Sequence, residues 1–205
     1  MTRKFAMFYQ PKDGHTLPHN PFNAIVAPRP IGWISTRAST GDNVAPYSFF
    51  NAVAYDPPQV IFAGSLKDSI ANVQETGVFA VNIVARSQLQ QMSETSARFP
   101  RGVDEFARAD IAKAECKMIN CPRVADSPAT LECRMTQIVP LVGGEDFLVI
   151  GTVVGVHIAQ TALDEHGRFS PALFGQMARL GYMDYAEVRE VITLPRPKDP
   201  PKDPA

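Results

Sequence analysis

The 205-residue chain carries 20 Lys and Arg against 21 Asp and Glu, a formal net charge of -1, with 45% hydrophobic and 20% charged residues. That is the composition of one globular domain with room for a sizeable core, and the lack of a basic excess or stripe argues against a general nucleic-acid binder. The opening MTRKFAMFYQPKDG lacks the apolar core of a signal peptide and no apolar run approaches membrane-spanning length, so the expectation is a cytoplasmic protein without a membrane partner.

Residues 1–26 are polar and broken by Pro11, Pro18 and Pro21, which reads as an extended lead-in. Ile31–Thr36 (IGWIST) is short, β-branched and aromatic, and predicts a strand; Gly41-Asp42-Asn43 supplies the turn after it. Val44–Ala54 predicts one return strand with an irregularity at Pro46, ended by Asp56-Pro57-Pro58 because proline lacks the ladder donor. Val60–Gly64 (VIFAG) is continuously apolar, as in a strand buried on both faces. The stretch Ser65–Ser69 (SLKDS) then leads into a helix of about two turns, with Asp68 or Ser69 at its N-cap and Gly77 at its end.

Val78–Val84 predicts a further strand, Ser87–Ala97 a helix with Leu89 and Met92 facing inward, and Val103–Ala109 a short helix. Ala129–Val139 and Phe147–Ala159 predict two long strands around a turn at Leu141–Asp146; residues 160–190 mix loop and helical pieces. The tail PRPKDPPKDPA repeats PKDP and cannot build a core. The domain therefore spans about 21–190, between a lead-in over 1–20 and a Pro-rich tail over 191–205. Six or seven hairpin-compatible strands with inserted helices predict a mainly β protein built as an antiparallel barrel, rather than a doubly wound sheet.

Two stretches offer binding chemistry. SLKDS follows a buried strand and opens a helix, so backbone N–H groups, the Lys67 cation and the Ser69 hydroxyl together suit a phosphate-type anion, although an ordinary capped connection reads the same way. In the first hairpin, Ser35, Thr36, Ser48 and Asn51 supply hydrogen-bonding groups for a flat heteroaromatic ring, with apolar contact from Trp33, Tyr47, Phe49 and Phe50; the same residues equally suit a core and its strand ends. No Walker or GxGxxG sequence occurs. Pro18 between His15 and His19 argues against a metal pair, and His157 in a strand reads as a satisfied structural residue. Cys116, Cys121 and Cys133 lack a zinc spacing and read as free thiols in a reducing compartment. No catalytic dyad or metal site is predicted.

In order and spacing, the segments APRPIGWIST, NVAPYSFFN, DPP, SLKDS with Asn72, FAVNIV, VIGTVVGVHI and ARLGY resemble the flavin reductase-like family on the FMN-binding split barrel, the group of nitrilotriacetate monooxygenase component B and flavoredoxin. The likeness runs from about Pro21 to Tyr185. It implies a homodimer of split barrels, each holding FMN non-covalently near the subunit interface. By position, ring contacts fall on Trp33, Ser35, Thr36, Ser48, Phe49 and Asn51, and phosphate contacts on Lys67, Ser69 and Asn72; Arg29 is added on its charge. The implied chemistry is hydride acceptance at flavin N5 from NAD(P)H, then delivery of electrons or reduced flavin to a partner monooxygenase or to oxygen, with no obligatory side-chain acid or base. The alternatives are an FMN-dependent enzyme acting directly on a small organic substrate, a flavoredoxin-like electron carrier, and an FMN-free interaction module. Two positions depart from the family pattern: Asp146 stands where many members have a His after Gly-Asp, and the usual RLGG is RLGY, ending in Tyr182. Both bear on nicotinamide use and not on FMN binding.

Overall fold

The structure, a computed structural model, describes residues 7–197; most of the PKDP repeat lies outside the described residues. A 3-10 turn at Pro11–Asp13, the short helix α1 (Phe22–Ile25) and β1 (Arg29–Pro30) lead into four strands: β2 (Gly32–Ala38), β3 (Gly41–Tyr47), β4 (Phe50–Tyr55) and β5 (Pro58–Ser65). Helix α2 (Asp68–Thr76) and β6 (Val78–Ile83) follow, then α3 (Leu89–Glu94), α4 (Glu105–Arg108), and the small pair β7 (Lys113–Glu115) and β8 (Pro122–Val124). The long hairpin β9 (Ala129–Pro140) and β10 (Asp146–Ile158) precedes α5 (Pro171–Phe174), β11 (Met177–Arg179) and β12 (Tyr185–Glu187).

Seven strands form one antiparallel sheet in the order β3-β2-β6-β9-β10-β5-β4, as the mainly β reading expects. Strands β3 and β4 are consecutive in the chain yet stand at opposite ends of that order. The expected single strand Val44–Ala54 is therefore two: β3 pairs with β2, and the chain crosses at Ser48-Phe49 so that β4 pairs with β5. The Phe49 carbonyl accepts from the Ala63 amide at 2.8 Å, and the Tyr47 ring lies edge-on to Phe62 at 4.9 Å, which brings the two edges together into a barrel.

The barrel interior holds Ile34, Phe50, Val60, Phe62, Phe79, Val81, Cys133 and Val149, with Ile70 and Val73 of α2 packed among them. Successive residues on a strand face opposite sides, so β2 sends Ile34 inward while Ile31 and Trp33 join an outer cluster with Met92, Phe106 and Val124. Helix α3 stops at Glu94, earlier than expected, because the Thr95 hydroxyl turns back to the Met92 carbonyl at 2.9 Å and also accepts from Trp33 Nε1 at 2.9 Å. Helix α4 begins at its cap Asp104, whose carboxylate accepts from the amides of Phe106 and Ala107. Gly77 ends α2 in the left-handed region at φ 72°, as its sequence position predicts.

Two buried polar groups pin the sheet. Asn82 on β6 is fully buried and makes four hydrogen bonds: its amide donates to the Trp33 carbonyl (2.9 Å) and Ser35 Oγ (3.0 Å), while its oxygen accepts from the Val124 amide (2.9 Å) and Thr130 Oγ1 (3.0 Å). Glu132 on β9, also fully buried, accepts from the amides of Lys117 (2.7 Å) and Met118 (2.6 Å) and meets His157 Nε2 at 2.5 Å. His157 is thus a partnered strand histidine.

Asn82→Ala strands four buried partners, and we expect a loss of at least about 1–3 kcal/mol in urea unfolding; an unchanged midpoint would show the hub to be dispensable. Burial alone would raise the Glu132 carboxyl, but the Lys117 amide, His157 and the Met118 amide together hold it below its ordinary value of 4.5. A lowered carboxyl contributes its full stability above the unfolded value and loses it as pH falls through the folded one. Glu132→Gln should therefore flatten the loss of stability below pH 4.5, measured as urea midpoint against pH; an equally steep acid limb in the variant would contradict this.

Candidate functional site

A cavity of about 390 Å³ opens between β3, the junction of β5 with α2, and the loop that follows α3. Asn43, Ala45, Pro46 and Tyr47 form one wall; Gly64, Ser65, Lys67, Asp68 and Ser69 form the second; Thr95 to Phe99 and Glu105 form the third. Its floor is the start of α2. Lys67 occupies the N-cap position in an extended conformation and no side chain caps the helix, so the first amides of α2 have no intrahelical acceptor. The expected cap residues stand one and two places inside: Asp68 is the first helical residue, and Ser69 donates instead to Asn43 Oδ1 at 2.8 Å. Free N–H groups and the positive end of the helix dipole thus face the cavity.

Charges around that floor are sorted. The Asp68 carboxylate is held by Arg101 at 3.1 Å, and Arg101 also reaches Asn72 Oδ1 at 3.4 Å. Lys67 and Arg98 line the cavity with no ion-pair partner among the described residues. Glu105 accepts from Asn43 Nδ2 (2.9 Å) and the Val44 amide (3.3 Å). Burial pushes its carboxyl above the ordinary range, with those hydrogen bonds opposing the rise and nearby Asp68 adding to it. Burial likewise raises the Tyr47 phenol, against a hydrogen bond with Ser69. The donor set of helix amides, two unpaired cations and hydroxyls suits a phosphate group.

Of the residues singled out from sequence, Lys67 and Ser69 of the expected phosphate site and Tyr47 of the first hairpin line this cavity. Asn72 is buried beneath it and donates to Thr36 Oγ1 at 3.0 Å, which ties α2 to the first hairpin. Trp33, Ser35 and Thr36 are fully buried. Trp33 holds Thr95, Ser35 Oγ donates to the Pro122 carbonyl at 2.7 Å, and Thr36 receives Asn72. As placed they expose no atom to a ligand, so the expectation of direct ring contact is corrected to support from behind. Ser48 (half-buried), Phe49 (46% exposed) and Asn51 (exposed) lie on the surface at the crossing from β3 to β4, directly after Tyr47 of the cavity wall. Arg29 does not line the cavity: its guanidinium binds the carbonyls of Asn23, Val26 and Leu180 and lies 5.8 Å from the Phe49 ring centre.

Sequence reasoning missed Asn43, Glu105 and the whole lip from Thr95 to Phe99. The run SETSARFPR carried a signal, since hydroxyls and two arginines crowd the end of a helix before a proline.

A family model described as "Flavin reductase like domain" matches residues 26–181. An uncharacterized protein of Deinococcus radiodurans is 35% identical over 189 residues, covering 84% of this chain and 82% of its own. Among solved structures, nitrilotriacetate monooxygenase component B from Bacillus cereus superposes with a TM-score of 0.80 at 28% identity, over 88% of this chain and 100% of that one. The 2-nitrobenzoate 2-nitroreductase of Pseudomonas fluorescens gives 0.79 at 28%, over 89% and 91%.

The chain has one tryptophan, and its buried ring is tied to the cavity lip through Thr95. Thr95→Val leaves the indole N–H without that acceptor; we expect a shift of Trp33 emission and a loss of about 1–3 kcal/mol of stability. Emission and urea midpoint both at wild-type values would sever the link between the lip and β2.

Proposed function

This chain belongs to the flavin reductase-like family, and from that premise we propose that it is an FMN-binding oxidoreductase, most simply an NAD(P)H:flavin reductase that supplies reduced flavin or electrons to a partner monooxygenase. The observation that carries the reading is the uncapped start of α2 at the cavity floor, flanked by the unpaired Lys67 and Arg98. A phosphate there would gain charge-assisted bonds that nothing else in the described protein takes up.

In this reading Lys67, Ser69 and Arg98 hold the phosphate, while Asn72 fixes the helix register from below through Thr36. Ser48, Phe49 and Asn51 meet the ring where the cavity wall runs out to the surface, and Arg29 steadies Phe49 from its side. Bound flavin would supply the hydride chemistry, which this chain's residues position without an acid or base of their own. The monooxygenase partner is suggested by the component B relative. A homodimer is supported by β4, an edge strand that leaves Val53 and Tyr55 exposed, as a second copy would cover. No helix among the described residues is long and apolar enough to cross a membrane.

A second reading, direct reduction of a small organic substrate, is favoured by one observation. Asp146 pairs across β10 and β5 with Ser65 of the cavity wall, so an acidic residue neighbours that wall in the ladder where many family members have a histidine. The similarity to a nitroaromatic reductase fits that reading.

FMN titration followed by Trp33 quenching should give saturable binding, and Lys67→Ala with Ser69→Ala should weaken it by about 1–3 kcal/mol; equal affinity in the double variant would remove the phosphate assignment. Anaerobic mixing of the FMN-loaded protein with NADH or NADPH should bleach the flavin rapidly. No bleaching, with photoreduction intact, would exclude the nicotinamide reductase in favour of a substrate-specific enzyme or an electron carrier.

A further inference from the structure

The loop joining β7 to β8 reads Cys116-Lys117-Met118-Ile119-Asn120-Cys121, and it sets two cysteines opposite one another. The β7–β8 register runs Lys113 opposite Val124, Ala114 opposite Arg123 and Glu115 opposite Pro122. One further step sets Cys116 opposite Cys121, and the Cys116 amide donates to the Cys121 carbonyl at 3.1 Å. The Cys121 amide turns into the loop instead, to the Ile119 carbonyl at 3.0 Å. Hydrogen-bonded cross-strand residues have Cα atoms about 5.5 Å apart, inside the range of about 4.4–6.8 Å that a disulfide spans. Both side chains pack in one small apolar cluster with Ile119.

The two differ in exposure. Cys121 is fully buried, with its thiol donating to the carbonyls of Ser35 (3.2 Å) and Pro122 (3.3 Å), whereas Cys116 is partly open beside exposed Lys117 and Met118. Burial, with Cys116 alongside, keeps the Cys121 thiol protonated. The accessible member is therefore the one that meets an oxidant, and the buried one closes the bond.

We propose that Cys116 and Cys121 form a dithiol site that hydrogen peroxide converts to a reversible disulfide. In the first step the Cys116 sulfur attacks one peroxide oxygen, the O–O bond breaks, and sulfenic acid and water form. In the second, the Cys121 sulfur displaces the sulfenic oxygen, whose hydroxyl leaves as water with the Cys121 thiol proton. Two thiols are oxidised by two electrons and one peroxide is reduced to two waters. The source of peroxide, reduced flavin meeting dioxygen, rests on the flavin reading above; the thiol chemistry does not. Closure holds the loop whose Lys117 and Met118 amides bind Glu132, and it removes the Cys121 donor from the Ser35 carbonyl on β2.

The test uses the whole protein in two arms, one with added hydrogen peroxide and one with FMN, NADH and air, with and without catalase. Non-reducing tryptic mass spectra should show peptide Ala114–Lys117 joined to Met118–Arg123, with two of the three thiols lost and both restored by dithiothreitol. Cys121→Ser should instead trap Cys116 as a dimedone adduct, and Cys133→Ser should still form the bond. Linkage by added peroxide alone supports the dithiol while counting against the flavin source. Three intact thiols after peroxide, or Cys116 oxidised to sulfinic acid beside a free Cys121, would overturn the proposal.

Discussion

The amide of Asn82 is the constraint on which the arrangement of strands depends. A primary amide has two donors and two acceptor sites, and here all are taken, by β2 on one side and by β8 and β9 on the other. In an apolar interior an unfilled valence is costly, so any slip of β6 against β2 would leave several groups unpaired at once. Hydrophobic contacts tolerate small displacements; this set does not. It fixes Trp33 and Ser35 in place, and through Trp33 it fixes Thr95 and the lip of the cavity.

The same logic runs through the cavity wall. Ser69, Asn43 and Glu105 form one buried chain, and Asn72 with Thr36 a second. Helix α2 is thereby locked to the first hairpin, by Ser69, Asn43 and Glu105 within the cavity wall and by Asn72 and Thr36 behind it. Asp68, whose charge opposes an anion, is drawn toward Arg101, while Lys67 and Arg98 are left uncommitted. An anion at this helix start would need such sorting, since it must find net positive potential beside an acid.

Local patterns were legible in the sequence because they are local. The apolar run VIFAG, the long β9–β10 pair and the glycine that ends α2 follow from periodicity and turn chemistry, and the ordered segments pointed to the family. The crossing at Ser48-Phe49 was hidden because Val44–Ala54 is a continuous strand-forming run. Only the pairing of β3 with β2 and of β4 with β5 splits it. The lip was hidden for a similar reason: Thr95 ends its helix by binding an indole 62 positions away. The buried hydroxyls of Ser35 and Thr36 looked like ligand groups because composition does not reveal which partners already occupy them.

Two connections of the sheet, β9 to β10 and β3 to β4, differ in what they allow over evolutionary time. Leu141 to Asp146 joins neighbouring strands, its glycines adopt positive φ and Val142 stands clear of the protein, so residues can be added or lost there without disturbing any pairing. Ser48-Phe49 spans the two edges of the barrel, so its length equals a gap set by seven strands. An insertion there would slacken the tie between those edges. Descendants of this chain are free to vary in size at the first position and are held to one size at the second.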